Sequence, residues 1–286
     1  MTGARQTTSG SAPPAARRAG LCYPPRPMSR TVALASLLLA LLACGTRHST
    51  MSGALKYGST PEANYDAGVE EMKDGNFTEA VKFFEYVKTK YPFSKYAPLS
   101  DLRLADLKFK QDRFIEAADA YQQFVTLHPT HEEVDYAELR VGMSYLREAP
   151  GEFALFPPSY EKDQRQVEKA AKSLRHFVDT RPESKYLPDA KKLLADAEGR
   201  LAAHEWYVGE YYYKRSLWAG AAGRYETLVD KYPGSRHEAE ALMKLAQAYV
   251  HLDEKHRART ALQRLIVKHP EDSRRPEAEK LLASLR

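Results

Sequence analysis

Five short turns that each end in proline divide the chain at near-regular intervals, and this spacing limits the fold more than any other feature. The turns are Tyr91-Pro92, His128-Pro129, Arg181-Pro182, Tyr232-Pro233 and His269-Pro270. The first two prolines are separated by the same number of residues as the last two. Such a fixed period is typical of a solenoid, in which short helical pairs stack because none can bury its apolar face alone.

The residues before each proline repeat one pattern. An alanine precedes each proline at a constant distance, a bulky residue follows that alanine after four positions, and another follows after three more. The three sets are Ala80, Ala117, Ala170, Ala221 and Ala258; Phe84, Tyr121, Leu174, Tyr225 and Leu262; and Val87, Phe124, Phe177, Leu228 and Leu265. Positions i, i+4 and i+7 share one face of a helix, so the pattern predicts the buried face of the second helix of each pair.

A small residue also marks the first helix of each pair, where two helices must approach closely: Gly68, Ala105, Gly142, Gly209 and Ala246. The whole pattern resembles the tetratricopeptide repeat, whose basic length is about 34 residues. We therefore predict an all-α, tetratricopeptide-repeat solenoid of five helical hairpins over residues 61–286. The repeats are expected at about 61–97, 98–134, 135–187, 188–238 and 239–275, with a C-terminal capping helix at 276–286.

The third repeat is interrupted twice. The first insertion lies between Tyr145 and Ala170, includes Phe153 and Phe156, and predicts a loop with an apolar tip, after which the helix resumes near Gln164. Long loops in compact domains are often functional, so this loop is a candidate partner contact, although neutral surface variation would explain it equally. The second insertion, at 185–200, carries leucines at helical spacing and predicts a longer following helix.

The N-terminal region has the features of an export signal. Residues 1–27 are rich in Pro, Ala, Ser and Arg, so we expect a disordered or mis-assigned extension, with Met28 as the alternative start to Met1. We predict that residues 28–43 form a signal peptide, because their apolar core is shorter than the roughly 20 residues that span a bilayer. The Leu-Leu-Ala-Cys sequence ending at Cys44 resembles a bacterial lipobox, which predicts a lipidated cysteine followed by a tether at 44–60.

Two observations refine this interpretation. An ordinary signal peptide with a chance cysteine is the alternative, but Cys44 is the only cysteine after Met28 and so has no disulfide partner. Gly45 occupies the position where an inner-membrane retention signal would usually place Asp. We therefore expect a lipid-anchored protein at the periplasmic face of the outer membrane.

Charge and motif content exclude two functional classes. The formal net charge is +5, but five arginines precede residue 44, so the remaining chain has equal numbers of basic and acidic residues. A nucleic-acid-binding protein needs a concentrated basic surface, so no nucleic-acid partner is expected. The chain has no glycine-rich phosphate loop, no HExxH motif and no Cys/His cluster, so we expect a protein that is not an enzyme and uses neither cofactor nor metal.

Aromatic residues are unusually dense around the fourth repeat. Trp206, Tyr207, Tyr211, Tyr213 and Trp218 exceed what the contact between the two helices of this hairpin requires. Surplus aromatic side chains on a helical surface favour the recognition of a peptide or a protein domain.

Several longer strings resemble the BamD lipoproteins of the outer-membrane β-barrel assembly machine. They are KYPFSKY at 90–96, HPTHEEVDY at 128–136, the run at 196–205, EYYYKRSLW at 210–218 and GRYE at 223–226. The resemblance covers nearly all of residues 61–270 and includes the lipobox and the interrupted third repeat. The C-terminal cap matches poorly, and residues before Met28 do not belong to the resemblance.

The resemblance implies a scaffold that binds the POTRA region of the barrel-forming subunit BamA through its C-terminal repeats, beside the other lipoproteins of the machine. By motif, Arg224 takes the place of an arginine that pairs with an acidic POTRA residue, and Arg215 and Trp218 lie near it in the chain. From the residues alone, Arg224 is close to the helix contact and could equally form a structural ion pair.

The resemblance also implies that unfolded outer-membrane β-barrel proteins are received through the N-terminal repeats. Tyr91, Phe93, Tyr96 and Tyr211 are the candidate peptide contacts, although Tyr91 and Phe93 could instead pack the turn between repeats. The main alternative is a generic periplasmic tetratricopeptide adaptor for another envelope complex. A peptidoglycan-cleaving enzyme built on a solenoid would need an appended catalytic domain.

Overall fold

The computed structural model describes residues 56–151 and 158–285. Within these ranges the regular structure consists of eleven α-helices and one short 3₁₀ helix, with no β-strand. The predicted all-α fold is therefore confirmed. The signal peptide, Cys44, most of the tether and the loop residues Phe153 and Phe156 lie outside the described residues.

The helices form five consecutive pairs followed by a single last helix. In chain order they are α1 (Pro61–Lys73), α2 (Phe77–Lys90), α3 (Tyr96–Lys110), α4 (Phe114–Leu127), α5 (Val134–Glu148), α6 (Arg165–Thr180), α7 (Leu187–Tyr213), α8 (Trp218–Lys231), α9 (Glu238–His251), α10 (Lys255–Lys268) and α11 (Arg275–Ser284). The 3₁₀ helix Ser159–Glu161 lies between α5 and α6.

The predicted buried face of each second helix is confirmed. The five alanines and the ten bulky residues of the repeated pattern are each at most 2% exposed. Burial at all fifteen positions places the hydrophobic core along the contacts between successive helices, as stacking of short pairs requires.

The small residues of the first helices lie directly under the bulky residues of the second helices. A Cβ added to Gly209 would lie 2.5 Å from Tyr225 Cε1, and one added to Gly142 would lie 2.5 Å from Leu174 Cγ. Real Cβ atoms do not approach so closely, so glycine is required here by the closeness of the two helices rather than by a backbone angle.

Each second helix ends in the same way. The residue before each proline has φ between −130° and −124° and ψ between 54° and 61°, outside the helical region. Proline disfavours the helical conformation in the residue before it, which explains why the helices stop at these points. The five proline turns therefore set the length of every second helix.

The turns within four of the five hairpins share a left-handed residue. Gly75 and Ser216 have φ values of 82° and 58°, and Asp112 and Asp253 have φ values of 58° and 59°. Gly75 and Ser216 are as far apart in the chain as Asp112 and Asp253, so repeats 1 and 2 correspond to repeats 4 and 5 at one constant offset.

The interruptions of the third repeat take the predicted forms where the structure describes them. Helix α6 begins at Arg165, next to the expected Gln164, and α7 extends over 27 residues. Ala197 in the first part of α7 packs in a cluster with α6, whereas Ala202 packs in a cluster with α8, α9 and α10. One helix thus belongs to two cores.

Helix α11 closes the last hairpin. Ala278 and Leu285 are buried against the cluster formed by α8, α9 and α10, and Leu281 and Leu282 pack partly against it. None of the helices in the described ranges combines the length and the apolar character needed to cross a bilayer.

Candidate functional site

Arg224 lies on α8 and faces the middle of α7. Its Nη1 is 3.2 Å from Glu205 Oε2, and the two side chains are 43% and 14% exposed. A guanidinium has five N–H donors, and the contact with Glu205 uses one nitrogen. Arg224 therefore forms the structural ion pair and also presents part of its charged group to solvent.

Arg215 lies in the turn that follows α7 and stacks on an aromatic ring. Its Cζ is 3.6 Å from the centroid of the Tyr211 ring, and its Nη1 donates a 3.0 Å hydrogen bond to the Tyr211 carbonyl oxygen. Both side chains are exposed. An exposed cation–π pair contributes about 0.5–1 kcal/mol, so this pair is held in place without being buried.

Trp218 begins α8 and packs against α9. Its ring stacks on His251 with centroids 3.9 Å apart and planes at 6°, and it meets the Tyr213 ring edge-on at 5.2 Å. The side chain is partly buried against the core cluster of the last repeats. Trp218 therefore lies beside Arg215 in the chain but is mainly occupied by the contact between two repeats.

Of the five aromatic residues predicted to exceed the needs of their own hairpin, three pack against the next hairpin. Trp206 stacks on His237 with ring centroids 5.0 Å apart, and the Tyr213 hydroxyl donates a 2.7 Å hydrogen bond to Gln247. These two residues and Trp218 join their hairpin to the next one, a contact that counting within one hairpin misses. Tyr207 and Tyr211 remain exposed.

Among the N-terminal candidates, Tyr91 and Phe93 lie in the turn between α2 and α3, and Tyr96 is the first residue of α3. Phe93 is fully exposed. The Tyr91 hydroxyl donates a 3.1 Å hydrogen bond to the Ser59 carbonyl oxygen, and the Tyr96 hydroxyl donates a 2.6 Å hydrogen bond to Glu62. The Glu62 contact raises the pKa of Tyr96 to about 12. The two tyrosines thus brace the turn against the first helix, and Phe93 projects from it.

Sequence reasoning missed a buried polar network in the second repeat. Asp106 is buried on α3 and accepts hydrogen bonds from the hydroxyls of Tyr121, at 2.5 Å, and Tyr136, at 2.8 Å. Arg103 pairs with the same carboxylate, and Arg140 Nε donates a 3.0 Å hydrogen bond to the Tyr121 hydroxyl. The network joins α3, α4 and α5.

The fourth repeat contains a second network in the corresponding positions. The Tyr225 hydroxyl donates a 2.7 Å hydrogen bond to Glu210 Oε1, and Lys244 of α9 pairs with Glu210. Burial raises the pKa of Glu210, but hydrogen bonds from Lys244 and Tyr225 outweigh that effect and leave the pKa below its ordinary value. The signal that could have found both networks is a carboxylate directly after the small residue of the first helix, combined with tyrosine at the bulky position of the second.

The contact between the third and fourth repeats has different residues at the positions of these two networks. The positions that correspond to the carboxylate, the tyrosine and the following cation carry Met143, Leu174 and Tyr207. The two networks therefore lie on either side of the contact that bears the interruptions.

A family model described as YfiO, outer membrane lipoprotein, matches residues 58–265. The outer membrane protein assembly factor BamD of Neisseria gonorrhoeae is 29% identical over 229 residues, which cover 79% of this chain and 86% of that protein. BamD of Xylella fastidiosa strain Temecula1 is 29% identical over 247 residues, covering 83% and 82%. BamD of Caulobacter vibrioides is 26% identical over 220 residues, covering 77% and 70%.

Among solved structures, the TPR2AB-domain:pHSP90-complex of yeast Sti1 aligns with 80% of this chain and 88% of that chain. The TM-score is 0.38 and the sequence identity is 16%. A similarity at this level carries no argument about what this chain binds.

Proposed function

The chain belongs to the YfiO family of outer membrane lipoproteins, and from this premise we propose that it is a non-catalytic scaffold for the assembly of outer-membrane proteins. The family match confirms the resemblance seen in the sequence strings. The single observation that carries the proposal is the extent of that match, which spans the repeats from residue 58 to residue 265, including the interrupted third repeat. Relatives of this chain in three genera are named as outer membrane protein assembly factors.

We propose that the C-terminal repeats bind the POTRA region of BamA through Arg224 and Arg215. The exposed part of the Arg224 guanidinium supports this, because a partner carboxylate could form a charge-assisted hydrogen bond with donors that Glu205 does not use. Glu205 also fixes the orientation of the guanidinium. Trp218 contributes as a support for the start of α8, through its stacking on His251. The other lipoproteins of the machine are proposed as further partners.

We also propose that the N-terminal repeats receive unfolded β-barrel proteins. Phe93 supports this most directly, because a fully exposed aromatic ring on a turn braced by Tyr91 and Tyr96 could contact an extended peptide at little entropic cost. Tyr211 lies in the fourth repeat and would contribute separately. The loop with Phe153 and Phe156 remains a proposed partner contact.

Lipidation of Cys44 is the proposed means of attachment to the periplasmic face of the outer membrane. Each buried CH₂ of an acyl chain contributes about 0.8 kcal/mol, so several chains, palmitate among them, would hold the protein stably. The alternative function, a periplasmic adaptor for another envelope complex, shares this anchor and differs only in its partners.

A pull-down of the full-length lipidated protein from solubilised envelope tests the proposal. The variant Arg224→Gln should lose BamA, whereas Glu205→Gln removes the internal ion pair but keeps the arginine and should retain BamA. Both variants should be compared for melting temperature, so that loss of binding is separated from loss of fold. Retention of BamA by Arg224→Gln would reject the role of Arg224, and recovery of a different envelope complex without BamA would favour the adaptor.

A further inference from the structure

The turn between α2 and α3 carries the most exposed large apolar side chain among the described residues, Phe93. The other four proline turns have polar residues or glycine directly after the proline: Thr130, Glu183, Gly234 and Glu271. A turn of this kind therefore forms without an apolar side chain at that position. Because the Phe93 ring is fully exposed, it contributes nothing to the core, and its presence in this one turn calls for contact with something outside the domain.

The first described residues of the chain are joined to this same turn. The Tyr91 hydroxyl donates its 3.1 Å hydrogen bond to the Ser59 carbonyl oxygen. The Tyr57 ring stacks on Tyr86 with centroids 4.0 Å apart and planes at 11°, and Tyr86 meets the Tyr91 ring edge-on at 6.1 Å. Tyr57 is itself 41% exposed. The segment that leads back to the predicted lipid anchor thus enters the folded domain beside the turn that carries Phe93.

Three lysines lie beside these aromatic residues in the chain. Lys56 precedes Tyr57, while Lys90 and Lys95 flank the proline turn, and all three side chains are exposed. Within the part of the chain that the structure describes, none of the three forms an ion pair with an acid. The one acid that contacts this region, Glu62, accepts the hydrogen bond from Tyr96. With that carboxylate counted, the region keeps a positive net charge.

The chain length between Cys44 and Lys56 limits how far this region can lie from the anchor. Residues 45–55 separate the two, and a chain extends by at most about 3.3–3.6 Å per residue, so the separation is about 40 Å at most. This step rests on the proposed lipidation of Cys44. A contact that would be weak for a free protein becomes effective when an anchor makes it intramolecular.

We propose that these five residues, Phe93, Tyr57, Lys56, Lys90 and Lys95, form a contact with the anionic membrane surface that carries the anchor. The Phe93 ring enters the boundary between headgroups and acyl chains, and the lysines lie among the lipid phosphates, since exposed apolar rings with flanking cations suit an anionic interface. Tyr57 lies at the headgroup level, where amphipathic rings are favoured. The contact fixes the orientation of α1 and α2 on the membrane. A membrane and a peptide cannot occupy the Phe93 ring at the same time.

Tryptophan fluorescence of the lipidated full-length protein tests this inference, in vesicles of phosphatidylethanolamine and phosphatidylglycerol with or without brominated acyl chains, which quench tryptophan on contact. The variant is Phe93→Trp. Thr130→Trp, at the exposed position after the second proline, is the matched control, and the unaltered protein gives the background of Trp206 and Trp218. We expect bromination to reduce the added fluorescence of Phe93→Trp by at least about twofold and to leave that of Thr130→Trp unchanged.

Two negative outcomes are distinguishable. Protein that floats with the vesicles but shows no more quenching in Phe93→Trp than in Thr130→Trp would overturn the membrane contact alone, and would leave the ring free for the proposed peptide contact. Protein that does not float with the vesicles would reject the anchor at Cys44 together with this contact.

The role of the lysines is tested in the Phe93→Trp background. Lys90→Gln combined with Lys95→Gln should weaken the contact by about fivefold for each lysine, and so return the fluorescence towards its unquenched value. Lys191→Gln combined with Lys192→Gln removes the same charge from exposed positions on α7 and should leave the quenching unchanged. Vesicles of phosphatidylcholine alone should also reduce the quenching. Equal quenching in both double variants would overturn the recognition of anionic lipid.

Discussion

The hydroxyl of Tyr225 donates a 2.7 Å hydrogen bond to Glu210, the carboxylate that follows the glycine packed beneath the same ring. Gly209 and Glu210, which are neighbours on α7, thus provide the space for the Tyr225 ring and the acceptor for its hydroxyl. The same arrangement joins Tyr121 to Asp106 in the second repeat.

Replacement of Tyr225 by phenylalanine should lower the free energy of unfolding by about 1–2 kcal/mol, because Glu210 loses a buried donor while the ring still fills the core. Urea denaturation of the full-length protein measures the change. Tyr211→Phe, at an exposed ring, is the matched control and should change stability by less than about 0.5 kcal/mol. Equal effects of the two substitutions would contradict a structural role for the hydrogen bond.

The stability of the domain should fall as the pH is lowered through the titration of Glu210. The folded-state pKa of Glu210 lies below its ordinary value of 4.5, so folding favours the charged form. The contribution is fully present above the unfolded-state pKa and is lost as the pH falls through the lower folded-state pKa. Glu210→Gln should reduce the pH dependence of the melting temperature below about pH 4.5; an unchanged profile would argue against the Glu210 network.

Gly209→Ala should destabilise the domain by about 1–3 kcal/mol, because the new methyl group would overlap the Tyr225 ring. Gly199→Ala is the control on the same helix. An added Cβ there meets no atom within 4 Å, and alanine favours a helix interior by about 0.5–1 kcal/mol. Thermal or urea unfolding should therefore show changes of opposite sign, and changes of the same sign would contradict the close approach of α7 and α8.

The left-handed turn residues give another pair of opposite effects. Gly75→Ala should destabilise the domain by about 1 kcal/mol, because φ at this position is 82°. Ser216→Gly should stabilise the domain, since serine occupies the corresponding position with a left-handed φ of 58°. The expected gain is about 0.5 kcal/mol, because the greater freedom of glycine in the unfolded chain offsets part of the benefit. Melting temperatures of the two variants check the prediction, which fails if Ser216→Gly lowers stability.

The buried face of each second helix could be predicted because the helical period alone determines which residues share that face. Ala221, Tyr225 and Leu228 lie on one side of α8 by helical geometry alone, and stacking buries that side. The length of α7 was predictable for the same reason, since its added leucines keep the helical spacing. Local periodicity needs no knowledge of the neighbouring hairpin.

Contacts between hairpins were not predictable in this way. Lys244 reaches Glu210 from the next repeat, 34 residues along the chain, and Trp206 packs against His237 of that repeat. Among the N-terminal candidates, the difference between Tyr91 and Phe93 depends on Ser59, which lies before the first helix. Such pairings depend on the angle between successive hairpins, and a repeat pattern does not contain that angle.

Helix α7 has a mechanical consequence because it is continuous over 27 residues while its two ends belong to different cores. A helix of this length is about 40 Å long. A rigid rod of about that length acts as a lever: a tilt of about 5° at its first turns would displace its last turns by about 3–4 Å. A tilt of α7 at the interrupted third repeat would therefore produce its largest displacement at the end of the helix beyond Glu205, the residue that contacts Arg224.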